Sequence, residues 1–402
     1  LKKIRFKSGQ EEWRLKSDLT WAMKHWSRLY FGGHYIYHVF VPEKRLTLRK
    51  VEGIETALRK WIRHREYAHE IALYVEDEMT IKENLTMNPG VRSILFRVGS
   101  TNYFSLEPRF SMQYRWNDHW STKASYTLMS QYVHQLGSSM LNMPTDLWVP
   151  VSDKVKPMKS HQCVVGIYYY PHVRWHLSLE GFYKTQNNLM DDDNGLDITP
   201  AYLDWKENTR SGKGRALGLE WMLRKTGGKT NGWINYTLSR AYRWFPDCSV
   251  NQGQRFPAMY DSRHMVNLVL LHKFSDFFDI SATWTFNNGF YTTQPLERYN
   301  APTTLPGEKG EKKKDIIFHV EKRNNLKTPD YHRLDLGINF HRRRRHGTST
   351  WSINLYNAYC RLNTIGLSPD YSVSYDEQRE CQYFSNDWLF PIIPSFSYTF
   401  TF

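Results

Sequence analysis

The chain ends on Ser395-Phe396-Ser397-Tyr398-Thr399-Phe400-Thr401-Phe402, and this stretch decides the fold. Aromatic residues alternate with small hydroxylated ones, so a β-strand would carry the rings on one face and the hydroxyls on the other. A soluble protein with such a terminal edge strand would be prone to aggregation. In a transmembrane β-barrel the rings face lipid, and closure of the sheet removes the edge. The stretch therefore favours a membrane barrel over the alternative, an edge strand of a soluble β-sandwich.

The composition leaves no room for a membrane-spanning helix but suits spanning strands. Mean hydropathy is -0.64. Charged residues make up 23% of the chain, and its longest aliphatic run covers only 268–271. A transmembrane strand needs about 9–11 residues, half of which face a polar interior, so its average hydropathy stays low. The aromatic content of 15%, with 15 Trp and 26 Tyr, fits rings at both membrane interfaces.

Two-faced segments recur along the chain, most clearly at 103–116. One face of this segment carries Phe104, Leu106, Phe110, Met112, Tyr114 and Trp116. The other face carries Ser105, Glu107, Arg109, Ser111, Gln113 and Arg115. Segments 217–224, 277–290 and 333–340 repeat the alternation. We therefore predict an all-β, antiparallel transmembrane barrel with about 15–16 strands in this chain. The residues predicted to face its lumen are Glu107, Arg109, Gln113, Arg115, Arg333 and Asp335.

The connectors between these segments alternate in length. Short ones are predicted at 23–26, 116–120, 170–173, 225–232, 273–278 and 341–350. Long ones are predicted at 41–67, 135–158, 188–213, 243–260, 291–330 and 361–389. Only the connector near 98–102 is short where a long one is due. Such segregation is typical of outer-membrane barrels, so we expect the long loops outside the cell and the short turns, with Phe402, on the periplasmic side. The Gly227-Gly228 pair suits a tight reversal, since Gly accepts positive φ.

Several stretches carry a more specific resemblance. They are 214–221 and 232–239, which flank the predicted turn at Lys225, the acidic run 74–78, and segments 106–111, 256–264 and 390–398. Together they resemble TonB-dependent outer-membrane receptors, and the ending resembles receptors from Bacteroidetes-type bacteria. The similarity extends from about residue 13 to the C-terminus. In that family a separate plug domain sits inside a barrel of about 22 strands.

The resemblance implies energy-coupled import of a scarce ligand across the outer membrane: a ferric siderophore, haem, cobalamin or an oligosaccharide. It implies contact with the inner-membrane TonB complex through an N-terminal part, and leaves a surface lipoprotein partner open. The chain starts at Leu1 without a leader or plug. We therefore expect 1–402 to be a single barrel domain, the C-terminal part of a receptor, with the plug and first strands missing. The alternative is a complete, passive sixteen-stranded porin.

Charge, cysteines and catalytic patterns add little to this prediction. The net charge of +14 comes from dispersed Lys and Arg, so no nucleic-acid partner is predicted. The Arg342-Arg343-Arg344-Arg345 run falls in a predicted periplasmic turn, either near lipid headgroups or simply solvated. Cys360 and Cys381 flank one outer loop and are either bridged or unpaired. No Ser-His-Asp order or paired-carboxylate spacing is evident, so no enzyme activity is expected, with an omptin-like protease as the alternative.

Residues at the predicted mouth are the candidates for ligand binding. Arg243, Trp244 and Phe245 begin one long loop, and Phe290 and Tyr291 precede another. Rings can stack on sugars or chelates while an arginine holds an anionic group, although an upper aromatic girdle would also explain these rings.

Two further loops carry weaker signals. Asp191, Asp193 and Asp197 form a weak Ca²⁺ candidate that lacks the distal Glu of an EF-hand loop, so no metal or cofactor is predicted. Outer-membrane lipid and lipopolysaccharide are expected to surround the barrel. In 41–67 the apolar residues recur at helical spacing, predicting a basic helix that packs over the rim or touches lipopolysaccharide. Those apolar residues are Val51, Ile54, Leu58, Trp61 and Ile62.

Overall fold

The structure is a computed structural model, and it describes most of the chain. The described residues are 2–48, 60–63, 65–136, 147–192, 206, 209–302, 314–374, 379–388 and 390–402. In these ranges the regular elements are β-strands and one short 3-10 turn at Asn251–Gly253. No helix within these ranges is long and apolar enough to cross a membrane.

The described ranges contain twenty-five strands, numbered here in chain order. The first thirteen are β1 Lys2–Lys24, β2 Ser27–Leu48, β3 Lys60–Arg63, β4 Glu66–Lys82, β5 Leu85–Val98, β6 Thr101–Arg115, β7 Trp120–Gln131, β8 Val133–Leu136, β9 Leu147–Pro150, β10 Met158–His172, β11 Trp175–Asp192, β12 Thr209–Lys225 and β13 Thr230–Trp244. The others are β14 Phe256–Pro257, β15 His264–Ser275, β16 Phe278–Asn287, β17 Tyr291–Thr292, β18 Glu297–Pro302, β19 Lys314–His319, β20 Leu326–Lys327, β21 Tyr331–Arg344, β22 Gly347–Tyr356, β23 Thr364–Ser374, β24 Arg379–Trp388 and β25 Ile393–Thr401.

Contacts divide the chain into two compact units. The first comprises Leu1–His172, Leu177–Leu219 and Ala241–Arg255, and the second comprises Val173–His176, Glu220–Arg240 and Phe256–Phe402. The expectation of one domain over 1–402 stays a prediction.

In each unit the long strands pair antiparallel with their neighbours in the chain. The first unit contains the ladder β1–β2–β4–β5–β6–β7–β10, in which Trp13 pairs with Tyr37 and Gly32 with Tyr74. The second unit contains the ladder β13–β15–β16–β21–β22–β25, in which Trp351 pairs with Tyr398. Most of these strands exceed the roughly 9–11 residues that a membrane-spanning strand needs, in agreement with the predicted all-β fold.

The strands have an apolar exposed face and a polar covered face, the reverse of a soluble sheet. In β6, Phe104 is 69% exposed and Leu106 is 55% exposed, whereas Glu107, the residue after Leu106, is 2% exposed. The same order holds in β4, where Leu73 is exposed and Ala72 is buried. Apolar side chains in such a row need lipid as their surroundings, because water would penalise their exposure.

Short turns lie at one end of the first unit's ladder and longer connections at the other. The short turns are residues 25–26, 83–84 and 116–119, and the long connections are 49–65 and 132–157. The predicted exception near 98–102 is confirmed, since β5 and β6 are joined by Gly99 and Ser100 alone.

The predicted loop 41–67 is partly wrong. Strand β2 continues to Leu48, and β3 pairs with it, Trp61 opposite Arg45. Trp61 and Ile62 therefore belong to a strand and cannot form the predicted amphipathic helix. Its other apolar positions, Val51, Ile54 and Leu58, lie outside the described residues. Helical spacing misled the prediction because pairing to an existing strand edge satisfies the backbone of 60–63.

The second unit shows the same alternation of connector lengths. Its short turns are residues 226–229, 276–277 and 345–346, and its long connections are 288–330 and 357–392. Gly227 and Gly228 both have φ of +82°, as expected for their turn. The predicted connector 341–350 was too long, because the β21–β22 ladder extends to the pair Arg344 and Gly347.

The long connections are themselves folded into hairpins. Strand β8 pairs with β9 between β7 and β10. Between β16 and β21, β17 pairs with β20 and β18 pairs with β19. Between β22 and β25, β23 pairs with β24 over most of the predicted loop 361–389. Sequence analysis had assigned these segments as loops, since none shows sustained apolar and polar alternation.

A small apolar core lies on the covered face of the first unit, at the end of the long connections. It consists of Phe40, Ala68, Ala72, Ile94, Phe96, Val98, Tyr132 and Val151. The rings of Phe96 and Tyr132 stack with centroids 4.8 Å apart. Tyr132 and Val151 both belong to the connection 132–157, and the Val151 amide donates to the Tyr132 carbonyl at 2.8 Å. Tyr132 and Val151, in the described part of this connection, therefore pack onto the covered face.

Candidate functional site

A carboxylate on β4 organises the covered face of the first unit. Glu70 Oε1 lies 3.0 Å from His34 Nε2 and 3.3 Å from Arg92 NH2. His38 Nε2 lies 3.5 Å from the other Glu70 oxygen, and His38 Nδ1 lies 3.0 Å from Glu12 Oε1. Because the four strands that carry these residues are neighbours, period-two alternation delivers all five side chains to the same face. We call this group the Glu70 network.

The Glu70 network lies beside the apolar core. The ring of His38 is 3% exposed and stacks against Phe40, with centroids 5.7 Å apart. Sequence analysis did not single out any member of this network. The available signal was the alternation of His34, Ile36, His38 and Phe40 on β2, which places two histidines on the covered face.

A polar cavity of about 430 Å³ opens on the same face, nearer the short turns. Its polar lining includes Glu78, Asn88, Gln113, Lys123, Tyr168 and Glu180. The Tyr168 hydroxyl donates to Glu180 Oε1 at 2.9 Å, and Lys123 Nζ lies 4.7 Å from the Tyr168 ring centroid. The cavity therefore combines an acceptor-rich wall with one cation, and Gln113 contributes to it as a predicted lumenal residue.

The other predicted lumenal residues of β6 lie on this covered face. Glu107 is 2% exposed, and its Oε1 accepts a hydrogen bond from the Ser130 amide at 2.7 Å. Arg109 is half-buried, whereas Arg115 is exposed beside the 116–119 turn. A buried carboxylate such as that of Glu107 needs polar partners, because burial without them is costly. The covered face of β6 supplies such partners, whereas the opposite face carries Phe104.

In the second unit Arg333 and Asp335 form a compact polar group on β21. Arg333 NH2 lies 2.8 Å from Asp335 Oδ2, and NH1 donates to the hydroxyls of Tyr331 at 3.0 Å and Tyr356 at 2.8 Å. The other Asp335 oxygen accepts the Asn357 amide at 2.9 Å. All five residues lie at the end of β21 and β22 from which the long connections start. The group is therefore placed where the ladder meets its loops.

The first three candidate ligand-binding residues lie in very different surroundings. Arg243 NH1 lies 3.5 Å from Asp191 Oδ2, and the Trp244 ring lies 5.2 Å from the guanidinium carbon of Arg255. Phe245 is fully buried and packs against Gly212, where a Cβ atom would come within 2.6 Å of its ring. Arg243 and Trp244 thus retain partly exposed groups, whereas the Phe245 ring offers no face to a ligand in this structure.

Phe290 and Tyr291 lie at the start of the connection between β16 and β21. The Phe290 carbonyl accepts a hydrogen bond from the Thr328 amide at 2.8 Å. This bond joins the beginning and the end of the connection 288–330. The Tyr291 ring lies 5.8 Å from Lys327 Nζ. Both rings are half-buried. An aromatic ring beside a cation recurs here as at Trp244 and Arg255.

The remaining candidate residues contribute less. Asp191 is engaged with Arg243, while Asp193 and Asp197 lie outside the described residues. No group of three or more His, Cys, Asp or Glu side chains in the described ranges is arranged so that it could hold a metal ion. Cys163, Cys248 and Cys360 are exposed free thiols, and the side chain of Cys381 lies outside the described part.

Comparison with known protein families identifies the family to which this β-sheet chain belongs. The sequence model of the family described as "TonB dependent receptor-like, beta-barrel" matches residues 4–358. The chain belongs to this family. The TonB-dependent receptor chain accordingly belongs to an integral β-barrel of the bacterial outer membrane. That the covered face of each unit is lumenal stays a prediction. No curated protein shows significant similarity to the chain.

Solved structures confirm the fold at low sequence identity. The ferric yersiniabactin uptake receptor FyuA from Yersinia pestis superimposes with a TM-score of 0.60 at 13% identity, covering 91% of this chain and 51% of FyuA. The ferric preacinetobactin receptor BauA from Acinetobacter baumannii gives 0.59 at 11%, covering 99% and 55%. The pyoverdine receptor FpvA from Pseudomonas aeruginosa gives 0.58 at 14%, covering 100% and 54%. The TonB-dependent receptor chain thus spans about half the length of these structures.

Family membership decides between the alternatives that the sequence left open. It favours a receptor over a porin, since the match runs through nearly all strands of both units. The family is described as receptor-like. The expectation of no enzyme activity stays a prediction. The narrower assignment to Bacteroidetes-type bacteria stays a prediction.

Proposed function

We propose that this TonB-dependent receptor chain forms the ligand-binding mouth and lumenal wall of an energy-coupled importer. Family membership carries the proposal, and the polar lumenal face supports it. In the first unit the Glu70 network and the cavity beside Gln113 supply carboxylates, a guanidinium group and a tyrosine hydroxyl. In the second unit the Arg333 group supplies a guanidinium, a carboxylate and two tyrosine hydroxyls. Coupling would require contact with the inner-membrane TonB complex.

A ferric chelate is the ligand class to test first. The structural neighbours named above are receptors for yersiniabactin, preacinetobactin and pyoverdine, and their identities of 11–14% support the fold rather than the ligand. The mouth residues support an anionic ligand with flat or cyclic parts. In the first unit Arg243 supplies a cation and Trp244 a ring face. In the second unit, taken by itself, Tyr291 supplies a ring face beside Lys327. Haem, cobalamin and oligosaccharides also have flat or cyclic parts, so they are tested as the alternative ligands.

The experiment measures uptake by cells in which this receptor is the sole route. Radiolabelled ferric siderophores, haem, cobalamin and an oligosaccharide mixture are supplied separately, with and without a functional TonB gene. We expect uptake of one class, and its loss when TonB is absent. Uptake that persists unchanged without TonB would contradict energy coupling and restore the porin alternative.

A pair of tryptophan variants tests the mouth. Trp244→Ala should weaken uptake of the transported class without altering the amount of folded receptor, since its ring lies beside Arg255 at the start of a long connection. The control is Trp351→Ala, because Trp351 is 45% exposed on the lipid face. This control should leave uptake per folded receptor unchanged. If Trp244→Ala lowers folding and leaves uptake per folded molecule unchanged, Trp244 belongs to the aromatic girdle.

A further inference from the structure

We propose that the lipid-facing side of the β21–β22 turn binds the phosphate group of an anionic phospholipid, with Arg342 and Arg344 as its cationic groups. This proposal concerns the periplasmic turn of the second unit and does not rest on the proposed import function. It is argued from strand register, neighbouring rings and local charge.

The register of β21 places the two arginines on the outward face. Leu336 and Phe340 are 36% and 43% exposed, whereas Gly337 between them is buried. Because the side-chain period of a strand is two, Arg342 and Arg344 continue the same outward row. Both are exposed. The apolar row of β21 therefore ends, at the turn, on two cations.

Aromatic residues mark the level at which this row leaves the hydrocarbon. Phe340 pairs directly with Phe278 on one side, ring centroids 5.3 Å apart, and lies opposite Trp351 on the other. Trp351 in turn contacts Tyr398, with ring centroids 4.6 Å apart. Trp and Tyr favour the membrane–water interface. Arg342 follows two residues beyond Phe340, about 7 Å further along the strand, which is the depth of lipid phosphates rather than of acyl chains.

The turn holds the Arg344 side chain against the sheet. Ser349, opposite Arg342, is 1% exposed, and its hydroxyl donates to the Arg342 carbonyl at 3.2 Å. Arg344 Nε lies 3.5 Å from Ser349 Oγ, so its side chain crosses the outward face above the serine. A Cβ on Gly347 would come within 2.2 Å of the Thr401 carbonyl oxygen, so β25 approaches β22 closely beside the arginines. Strand register therefore places the two cations on one patch of the surface, and the contact with Ser349 restrains Arg344 there.

Local charge favours an anionic partner. Within the described residues neither Arg342 nor Arg344 forms an ion pair. The side-chain carboxylates of β16 and of the turn before it are already engaged: Asp279 with His341 Nε2 at 2.6 Å and Asp276 with Lys273 Nζ at 2.8 Å. Guanidinium groups bind phosphate oxygens in a bidentate manner. The patch has a cationic part, the two arginines, and an apolar part, the adjoining aromatic rings. The phosphate group of a lipid would bind the arginines and its acyl chains would lie along the rings, whereas free phosphate would contact the arginines alone. A lipid is therefore the occupant that fits both parts.

The test measures lipid retention by the purified receptor in detergent micelles, using native mass spectrometry during titration with phosphatidylglycerol. We expect Arg342→Gln/Arg344→Gln to weaken phosphatidylglycerol binding roughly thirtyfold, since each cation near an anionic lipid contributes about fivefold in affinity. The matched control is Arg343→Gln, whose position on β21 belongs to the lumenal face. The charge-conserving double variant R342K/R344K should retain most of the binding. Heat-modifiable migration on gels verifies that each variant is folded.

Three outcomes would overturn the proposal. One is an equal loss with R343Q and with the outward pair, since a diffuse positive charge would then suffice. Another is equal retention of zwitterionic phosphatidylcholine, which would remove the selectivity for anionic lipid. The third is displacement of the lipid by inorganic phosphate at equal concentration, which would assign the site to the free anion.

Discussion

The guanidinium of Arg333 lies 2.8 Å from the Asp335 carboxylate, and both side chains are about one-quarter exposed. Arg333 also lies 4.2 Å from the Tyr356 ring centroid, so the pair is held between β21 and β22 rather than extended into solvent. We infer that it fixes the ends of these two strands where the connection 357–392 begins.

The first prediction is that Asp335→Asn lowers the stability of the second unit by about 1–3 kcal/mol, because a charge-assisted bond is lost and Arg333 keeps its charge. Urea unfolding in micelles, followed by tryptophan fluorescence, measures the change. Asp276→Asn is the control, since Asp276 is fully exposed beside Lys273 and such surface pairs contribute little. If the two variants changed the free energy of unfolding equally, the Arg333–Asp335 pair would have no structural role.

A second prediction compares the two faces of β6. Phe110→Arg should reduce folded barrel, since a cation on the lipid face costs about 2–4 kcal/mol near the midplane. Gln113→Arg should be tolerated, because Gln113 lines the polar cavity that already contains Lys123. Heat-modifiable migration reports the folded fraction. If both variants are equally damaging, the faces of β6 are misassigned.

Third, the long connections should be accessible outside the cell and the short turns should not. Cys248 and Cys360 lie in long connections and have exposed thiols, so each should react with an impermeant maleimide on intact cells when the other cysteines are replaced. Arg345→Cys, in the 345–346 turn, should react only after permeabilisation. Gly347 cannot carry this probe, since a Cβ there would meet the Thr401 carbonyl oxygen. Reaction of Arg345→Cys alone on intact cells would reverse the topology.

A fourth prediction concerns pH and the hairpin β8–β9. Burial lowers the pKa of His134 to about 4, because its ring is removed from water. The unfolded hairpin would bind a proton near pH 6.5, whereas the folded hairpin resists protonation until about pH 4. The stability of the folded hairpin is therefore constant above pH 6.5 and falls as the pH drops from 6.5 towards 4.

Hydrogen exchange across 133–136 and 147–150 measures this effect. Protection should decrease between pH 6.5 and 4, after correction for the intrinsic exchange rate. His134→Leu should remove the dependence, because no titrating group then remains at that position. A pH dependence that survives in His134→Leu would assign it to another group.

Much of the ladder could be predicted from the sequence, because its determinants are local. Alternation in segments such as 103–116 and 395–402 is enough to choose strands and to choose their lipid-facing side. Connector lengths followed from the same reading, including the short exception at Gly99 and Ser100. Bounds were less accurate, as at Leu48 and Arg344, because pairing with a neighbouring strand extends a strand beyond its alternating residues.

The sequence by itself thus determined the fold class, the family and the two faces of the strands, since period-two alternation is written into consecutive residues. Only the tertiary structure decided which polar side chains meet. Glu70, His34 and Arg92 come from three strands and converge through register, which consecutive residues do not encode. The burial of Phe245 against Gly212 and the hairpins within the long connections depend likewise on contacts between segments distant in the chain. The alternation of side chains along a strand determines which face of the strand each residue occupies, whereas the register of neighbouring strands determines which side chains it contacts.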